Sequence, residues 1–148
     1  MKYFAYGSNM NQEQMKDRCP DSNLVGSAFL SGYKIGFTIF SKSRECGCAD
    51  IIKSSEDKVW GLLYEISESD LSNLDKAEGH PNHYRRLQVE VSSENGENFT
   101  AEAYEVVKKE GEFLKPSKHY LGLMVDVAVE FNFPQDYRDR ISKTETLA

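Results

Sequence analysis

A glutamate at the inward end of a short helix is the first feature of this chain that points to chemistry. Ser67–Glu78 reads as one helix, with Ser67 as N-cap, Asp70 at the capping-box position and Gly79 ending the last turn. Leu71 and Leu74 mark its inward face, and at about 100° per residue Glu78 falls between them. The carboxylate is then aimed at the core side. The negative end of the helix dipole and partial burial both disfavour its ionised form, which moves it toward the range where a general base works. A frayed last turn would instead leave Glu78 in water, and helix geometry alone does not choose between the two.

A second segment, Tyr3-Phe4-Ala5-Tyr6-Gly7-Ser8-Asn9-Met10, offers a place to hold an anion. Tyr3–Tyr6 reads as a short buried strand, Gly7-Ser8-Asn9 breaks it, and Asn11 caps a helix with Gln14 at the capping-box position. A strand, a tight turn and a helix start together present backbone N–H groups to one spot, which suits a carboxylate or an oxyanion. The same residues also serve as a plain structural turn. They form neither a phosphate-binding loop nor a dinucleotide fingerprint, which need further glycines or a lysine at fixed spacing.

Bulk properties narrow the classes. A chain of 148 residues, 39% hydrophobic and 28% charged, is expected to be one soluble domain spanning residues 1–148. A net charge of −6 argues against general binding to nucleic acid or to anionic membranes, so any attraction for acidic small molecules must be local. Cys46 and Cys48 are too close for a usual zinc pair, Cys19 is distant, and His80, His83 and His119 complete no ligand set. No metal and no cofactor are expected. Free thiols fit a reducing cytoplasm, the N-terminal apolar run is too short for a signal peptide, and no stretch approaches the ~20 apolar residues of a membrane span.

The elements that must position these residues follow from periodicity. Strands are expected at Tyr3–Tyr6, Tyr33–Phe40, Ala49–Lys53, Val59–Ile66, Tyr84–Val91 and Phe99–Val107. Val59–Ile66 is almost wholly apolar or aromatic and reads as a central strand. Leu87, Val89 and Val91 share one face of the next strand, and Asn95-Gly96 marks a hairpin to the last. Helices are expected at Asn11–Arg18, Ser67–Glu78, Ser117–Phe131 and Pro134–Ile141. Mixed strands with a few helices predict an α+β domain: a small mixed barrel or a curled sheet flanked by helices.

Taken together, Tyr6-Gly7-Ser8-Asn9-Met10, Val59-Trp60-Gly61-Leu62-Leu63-Tyr64 and Leu74-Asp75-Lys76-Ala77-Glu78-Gly79 followed by Tyr84 resemble the gamma-glutamylcyclotransferase-like family. The resemblance runs from Lys2 to about Tyr120. Glu78-Gly79-His80-Pro81 with Tyr84-Arg85-Arg86 is more similar to compact prokaryotic members than to the longer animal enzyme. It implies a β-barrel flanked by helices, with a pocket at one mouth. It also implies a cofactor-free reaction, in which the alpha-amine of a gamma-glutamyl amide attacks its own gamma-carbonyl and releases 5-oxoproline. Glu78 is then the general base and afterwards the acid. Tyr3, Phe4, Ala5, Tyr6, Gly7, Ser8 and Asn9 are candidate substrate-binding residues, with the turn gripping either the alpha-carboxylate or the gamma-carbonyl. The resemblance adds Tyr84, Tyr104 and Tyr120 as pocket tyrosines, although each also fits core packing. His80 and His83 read as rim residues, and Arg85 and Arg86 as a solvated strand edge or as help for an anionic substrate. The leaving group is an amino acid or an amine, a non-catalytic binding module is the third reading, and a homodimer stays open.

Overall fold

The computed structural model describes residues 1–148. Five strands close into a barrel in the order β1 (Lys2–Ala5), β3 (Cys46–Glu65), β2 (Asn23–Ser41), β4 (Tyr84–Ser93) and β5 (Asn98–Val106). All neighbours are antiparallel except β1 and β5, which meet in parallel at Tyr3 and Glu102. Four helices flank the barrel: α1 (Gln12–Arg18), α2 (Glu68–Glu78), α3 (Lys118–Glu130) and α4 (Gln135–Ser142). No helix is long and apolar enough to cross a membrane. The α+β barrel expected above is therefore the fold.

Strand direction decides where a site can form. β1, β2 and β5 end, and β3 and β4 begin, at the same mouth of the barrel. Tyr6–Asn9, the β2–β3 turn and Tyr84 all collect there. Helix α2 brings Glu78 to the same place, because Leu74 is wholly buried and Ser67 and Asp70 form the reciprocal capping box. Gly79 stops α2 in the left-handed region at φ 67°, where a side chain would also run into the His83 ring.

Two sequence expectations need correction. Tyr33–Phe40 is only the second half of β2, and Ala49–Lys53 and Val59–Glu65 are parts of one 20-residue β3, with Ile66 just past its end. The polar stretch Ser54–Lys58 that joins them stays strand-like, and the pairing slips there, with Ser54–Asp57 falling opposite Gly32 at φ 84°. Gln14 is the second case. Asn11 caps α1 by accepting from Gln14 N at 2.9 Å, but the Gln14 side chain does not return the bond and reaches Ser8 and Asn9 instead. A 3-10 turn over Ser8–Met10 explains this, since it already gives Asn11 N an acceptor at Ser8 O.

The barrel core is apolar and continuous. β3 is covered on both faces from Val59 to Tyr64 apart from partly exposed Trp60, which packs against Phe133. Met124, Val127 and Ala128 of α3 close one side. Asp50 interrupts it within β3, a fully buried carboxylate that accepts from Thr38 Oγ1, Ile51 N, Val106 N and Lys109 Nζ.

Candidate active site

The barrel mouth holds a cavity of about 670 Å³, a size suited to a small molecule. Its wall includes Tyr3, Tyr6, Gly7, Ser8, Asn9, Glu78, Tyr84, Tyr104 and Tyr120. The structure thus brings together residues from both ends of the chain that the sequence singled out separately. Phe4 and Ala5 do not join them. Strand alternation turns Phe4 to the opposite face from Tyr3, where its ring lies against Gly61, and Ala5 is buried in the core.

Glu78 faces inward, with its side chain 18% exposed. Burial raises its pKa, while Arg18, Arg44 and the Asn9 amide oppose that rise. Asn9 Nδ2 donates to Glu78 Oε1 at 3.2 Å and to the Tyr3 hydroxyl at 2.8 Å. Arg18 Nη1 lies 3.9 Å from the same carboxylate oxygen. The result is a carboxylate disfavoured as an anion by its surroundings and kept usable by neighbouring donors.

The turn beside it opens a 3-10 helix. Gly7, Ser8 and Asn9 precede its first internal hydrogen bonds, from Met10 N to Gly7 O and from Asn11 N to Ser8 O. Their N–H groups therefore lie at the start of a helical turn, where donors are in excess. Gly7 has φ −114°, so left-handed strain plays no part there. Space does: a Cβ on Gly7 would sit 3.3 Å from both Ala49 Cβ and the Tyr120 hydroxyl.

The tyrosines are fixed by their hydroxyls. Tyr84 donates to Ala49 O at 2.7 Å and Tyr120 accepts from Ala49 N at 3.0 Å, so both grip the backbone of one β3 residue. Tyr6 donates to Tyr104 O at 2.6 Å and so stitches β1 to β5, while Tyr104 donates to Asp75 at 2.6 Å. Burial raises the pKa of all four hydroxyls, which keeps them neutral donors rather than bases. Cys48 also lines the cavity, and burial, reinforced by Cys46, pushes its thiol up to about 12. A protonated thiol is a poor nucleophile. No three His, Cys, Asp or Glu side chains cluster as a metal site would require.

Several wall residues escape the sequence reading. Arg18, Lys42, Arg44 and Lys76 put four cations around the cavity of an acidic protein. The basic turn Lys42-Ser43-Arg44 was the available signal, but a charged hairpin tip normally reads as a solvated surface. Asp75, one turn before Glu78, holds Tyr104 and Arg86, the latter at 2.7 Å. Arg86 therefore clamps α2 to the barrel, and Arg85 pairs with Glu105 on the outer surface. His83 lies on the cavity wall, whereas His80 accepts from Arg86 N and organises the loop.

Comparison with known proteins identifies the family and the fold. Residues 58–141 match the model of the AIG2-like family. Gamma-glutamylcyclotransferase from Bos taurus is 32% identical, the alignment covering 97% of this chain and 78% of that protein. The Homo sapiens protein of the same name is 30% identical over the same shares. A solved structure of a gamma-glutamyl cyclotransferase superposes with a TM-score of 0.92 at 28% identity, covering 99% of this chain and 89% of its own. The chain belongs to the AIG2-like, gamma-glutamylcyclotransferase-type family.

Proposed function

We propose that this protein is a gamma-glutamyl cyclotransferase in which Glu78 moves the protons. The substrate's alpha-amine attacks its own gamma-carbonyl, the gamma C–N bond breaks, and 5-oxoproline leaves with an amino acid. Nucleophile and electrophile belong to one molecule, so the main task is folding the substrate, and well-oriented intramolecular reactions reach effective molarities of about 10⁵–10⁸ M. Glu78 takes a proton from the alpha-ammonium to free the attacking amine and returns it to the departing nitrogen as the C–N bond breaks, and the second proton that the attacking nitrogen sheds on becoming the lactam N–H leaves on the released amino group as its ammonium. Such proton transfer contributes roughly 10²–10⁴-fold. The N–H groups of Gly7, Ser8 and Asn9 bind substrate oxygens, and the tyrosine walls hold the bent chain and displace water.

The observation that carries this reading is the inward Glu78 carboxylate, on the wall of a cavity that also holds Arg18, Lys42, Arg44 and Lys76. These four cations outnumber the two carboxylates of the wall, Glu78 and Glu110, in a protein of net charge −6, which favours a substrate with carboxylates at both ends over one that releases a bare amine. The test is a panel of gamma-glutamyl amino acids and gamma-glutamyl amines, scored for 5-oxoproline, together with N-acylated analogues. The free-amine amino-acid conjugates are expected to yield 5-oxoproline and the N-acylated ones to stay intact. Free glutamate as first product, or cleavage of an N-acylated analogue at a comparable rate, would mean that water attacks and that the proposed reaction is wrong.

A further inference from the structure

Two side-chain amides connect the β2–β3 turn to Glu78. Arg44 Nη2 donates to Gln14 Oε1 at 2.6 Å. Gln14 Nε2 donates to Asn9 Oδ1 at 2.8 Å and to Ser8 Oγ at 2.9 Å. Arg18 Nη1 donates to the same Asn9 oxygen at 2.9 Å. Asn9 Nδ2 is then left to donate to Glu78 Oε1 and to Tyr3.

An amide can turn over and exchange its donor and acceptor ends, but a guanidinium only donates. Arg44 therefore fixes the oxygen end of Gln14, and Gln14 and Arg18 together fix the oxygen end of Asn9. One polarity satisfies the whole chain, and it ends with an N–H pointing at Glu78 Oε1. A proton arriving on that oxygen would oppose the Asn9 N–H.

We propose that Gln14 is a positioning residue that locks the Asn9 amide with its NH₂ toward Glu78, so that the base takes its proton on Oε2. The catalytic consequence rests on Glu78 being the base of the proposed reaction, but the lock itself can be tested without turnover. Gln14 neither lines the cavity nor contacts Glu78; it reaches Glu78 through Asn9, and its other side-chain partners are Ser8 and Arg44. Its loss weakens a bond that favours the ionised carboxylate, so the pKa of Glu78 rises further.

Other groups around Glu78 must be separated from this effect. Tyr3 and Tyr6 face it from β1 and its end, Tyr84 from β4, Tyr104 from β5 and Tyr120 from α3. Arg18 of α1 and Arg44 of the turn supply positive charge, with Asp75 and Lys76 on α2 itself. His83 is the imidazole on the cavity wall, so the measurement is made in a His83→Gln background.

The experiment follows the side-chain carbonyl carbon of Glu78 by NMR titration in ¹³C-glutamate-labelled protein, assigned by its loss in Glu78→Gln. Gln14→Met keeps charge and length and removes the amide. Its expected effect is a rise of about half a pH unit or more in the Glu78 midpoint, with the unfolding temperature nearly unchanged. Gln14→Ala serves the same purpose if the methionine variant folds poorly. An unchanged midpoint in a folded variant would overturn the proposal, because a merely structural glutamine leaves Glu78 as it is. In the 5-oxoproline assay, the acid limb of kcat/KM is expected to move with the NMR midpoint and kcat to fall at constant KM. If the parent protein makes no 5-oxoproline, the catalytic reading fails while the NMR titration still decides the lock.

Discussion

Replacing Asp50 separates hydrogen bonding from charge in the frame behind the site. Its carboxylate is wholly buried, with Oδ1 accepting from Ile51 N at 2.8 Å and Val106 N at 2.9 Å. Oδ2 takes the Thr38 hydroxyl and Lys109 Nζ, each at 2.8 Å. Asp50→Ala leaves two backbone N–H groups and a hydroxyl without acceptors, in a site water does not reach. At about 1–3 kcal/mol for each unsatisfied group, with partial relaxation, the loss is about 4 kcal/mol. For a chain of this size that is roughly 12 °C in unfolding temperature. Asp50→Asn keeps Oδ1 and both backbone bonds, and its NH₂ can donate to Thr38. Only Lys109 loses a partner, and it is 39% exposed and free to turn into solvent. The asparagine variant is therefore expected to lose only about 1 kcal/mol. Urea and thermal unfolding of the three proteins supply the comparison. An asparagine variant as unstable as the alanine one would show that charge pairing, not backbone satisfaction, holds this corner. An alanine variant within about 1 kcal/mol of the parent would refute the burial argument outright.

Two further outcomes follow from the site. Gly7→Val is expected to fold and to lose most of its kcat/KM, because its methyl groups occupy space 3.3 Å from Ala49 and Tyr120; normal substrate affinity in the folded variant would disprove the close approach. Glu78→Gln is expected to raise the unfolding temperature at neutral pH, since the folded state raises the Glu78 pKa and so penalises its ionised form. That gain should fade as pH falls through the folded-state pKa, where the parent is already protonated, and a variant less stable at neutral pH would contradict the sign.

The legible part of this protein is what local chemistry specifies. Ser67, Asp70 and Gly79 define both ends of α2 in the sequence, and the structure uses all three as expected. Leu71 and Leu74 set its inward face and put Glu78 on that side, but a frayed last turn stayed open until the structure put the carboxylate on the cavity wall. The Asn95-Gly96 turn likewise places β4 against β5. What was hidden depends on contacts distant in sequence. Nothing near Lys42 or Arg44 says that the β2–β3 turn folds back over Tyr120, where Arg44 stacks 5.2 Å from the ring centre. Asp75 is an ordinary polar position on a helical wheel until Tyr104 and Arg86 arrive from other strands. Closure of the barrel rests on a single parallel register, Tyr3 with Glu102, which no periodicity encodes.

The most direct test of the central claim is 5-oxoproline release by purified Glu78→Gln protein on a gamma-glutamyl amino acid that the parent turns over. The change keeps the shape of the side chain and removes the carboxylate, so substrate binding should survive. Turnover is expected to fall by about 10²-fold or more, the range lost with a general base. Near-normal 5-oxoproline release by the folded variant would show that the proton is carried elsewhere and that Glu78 is not the base.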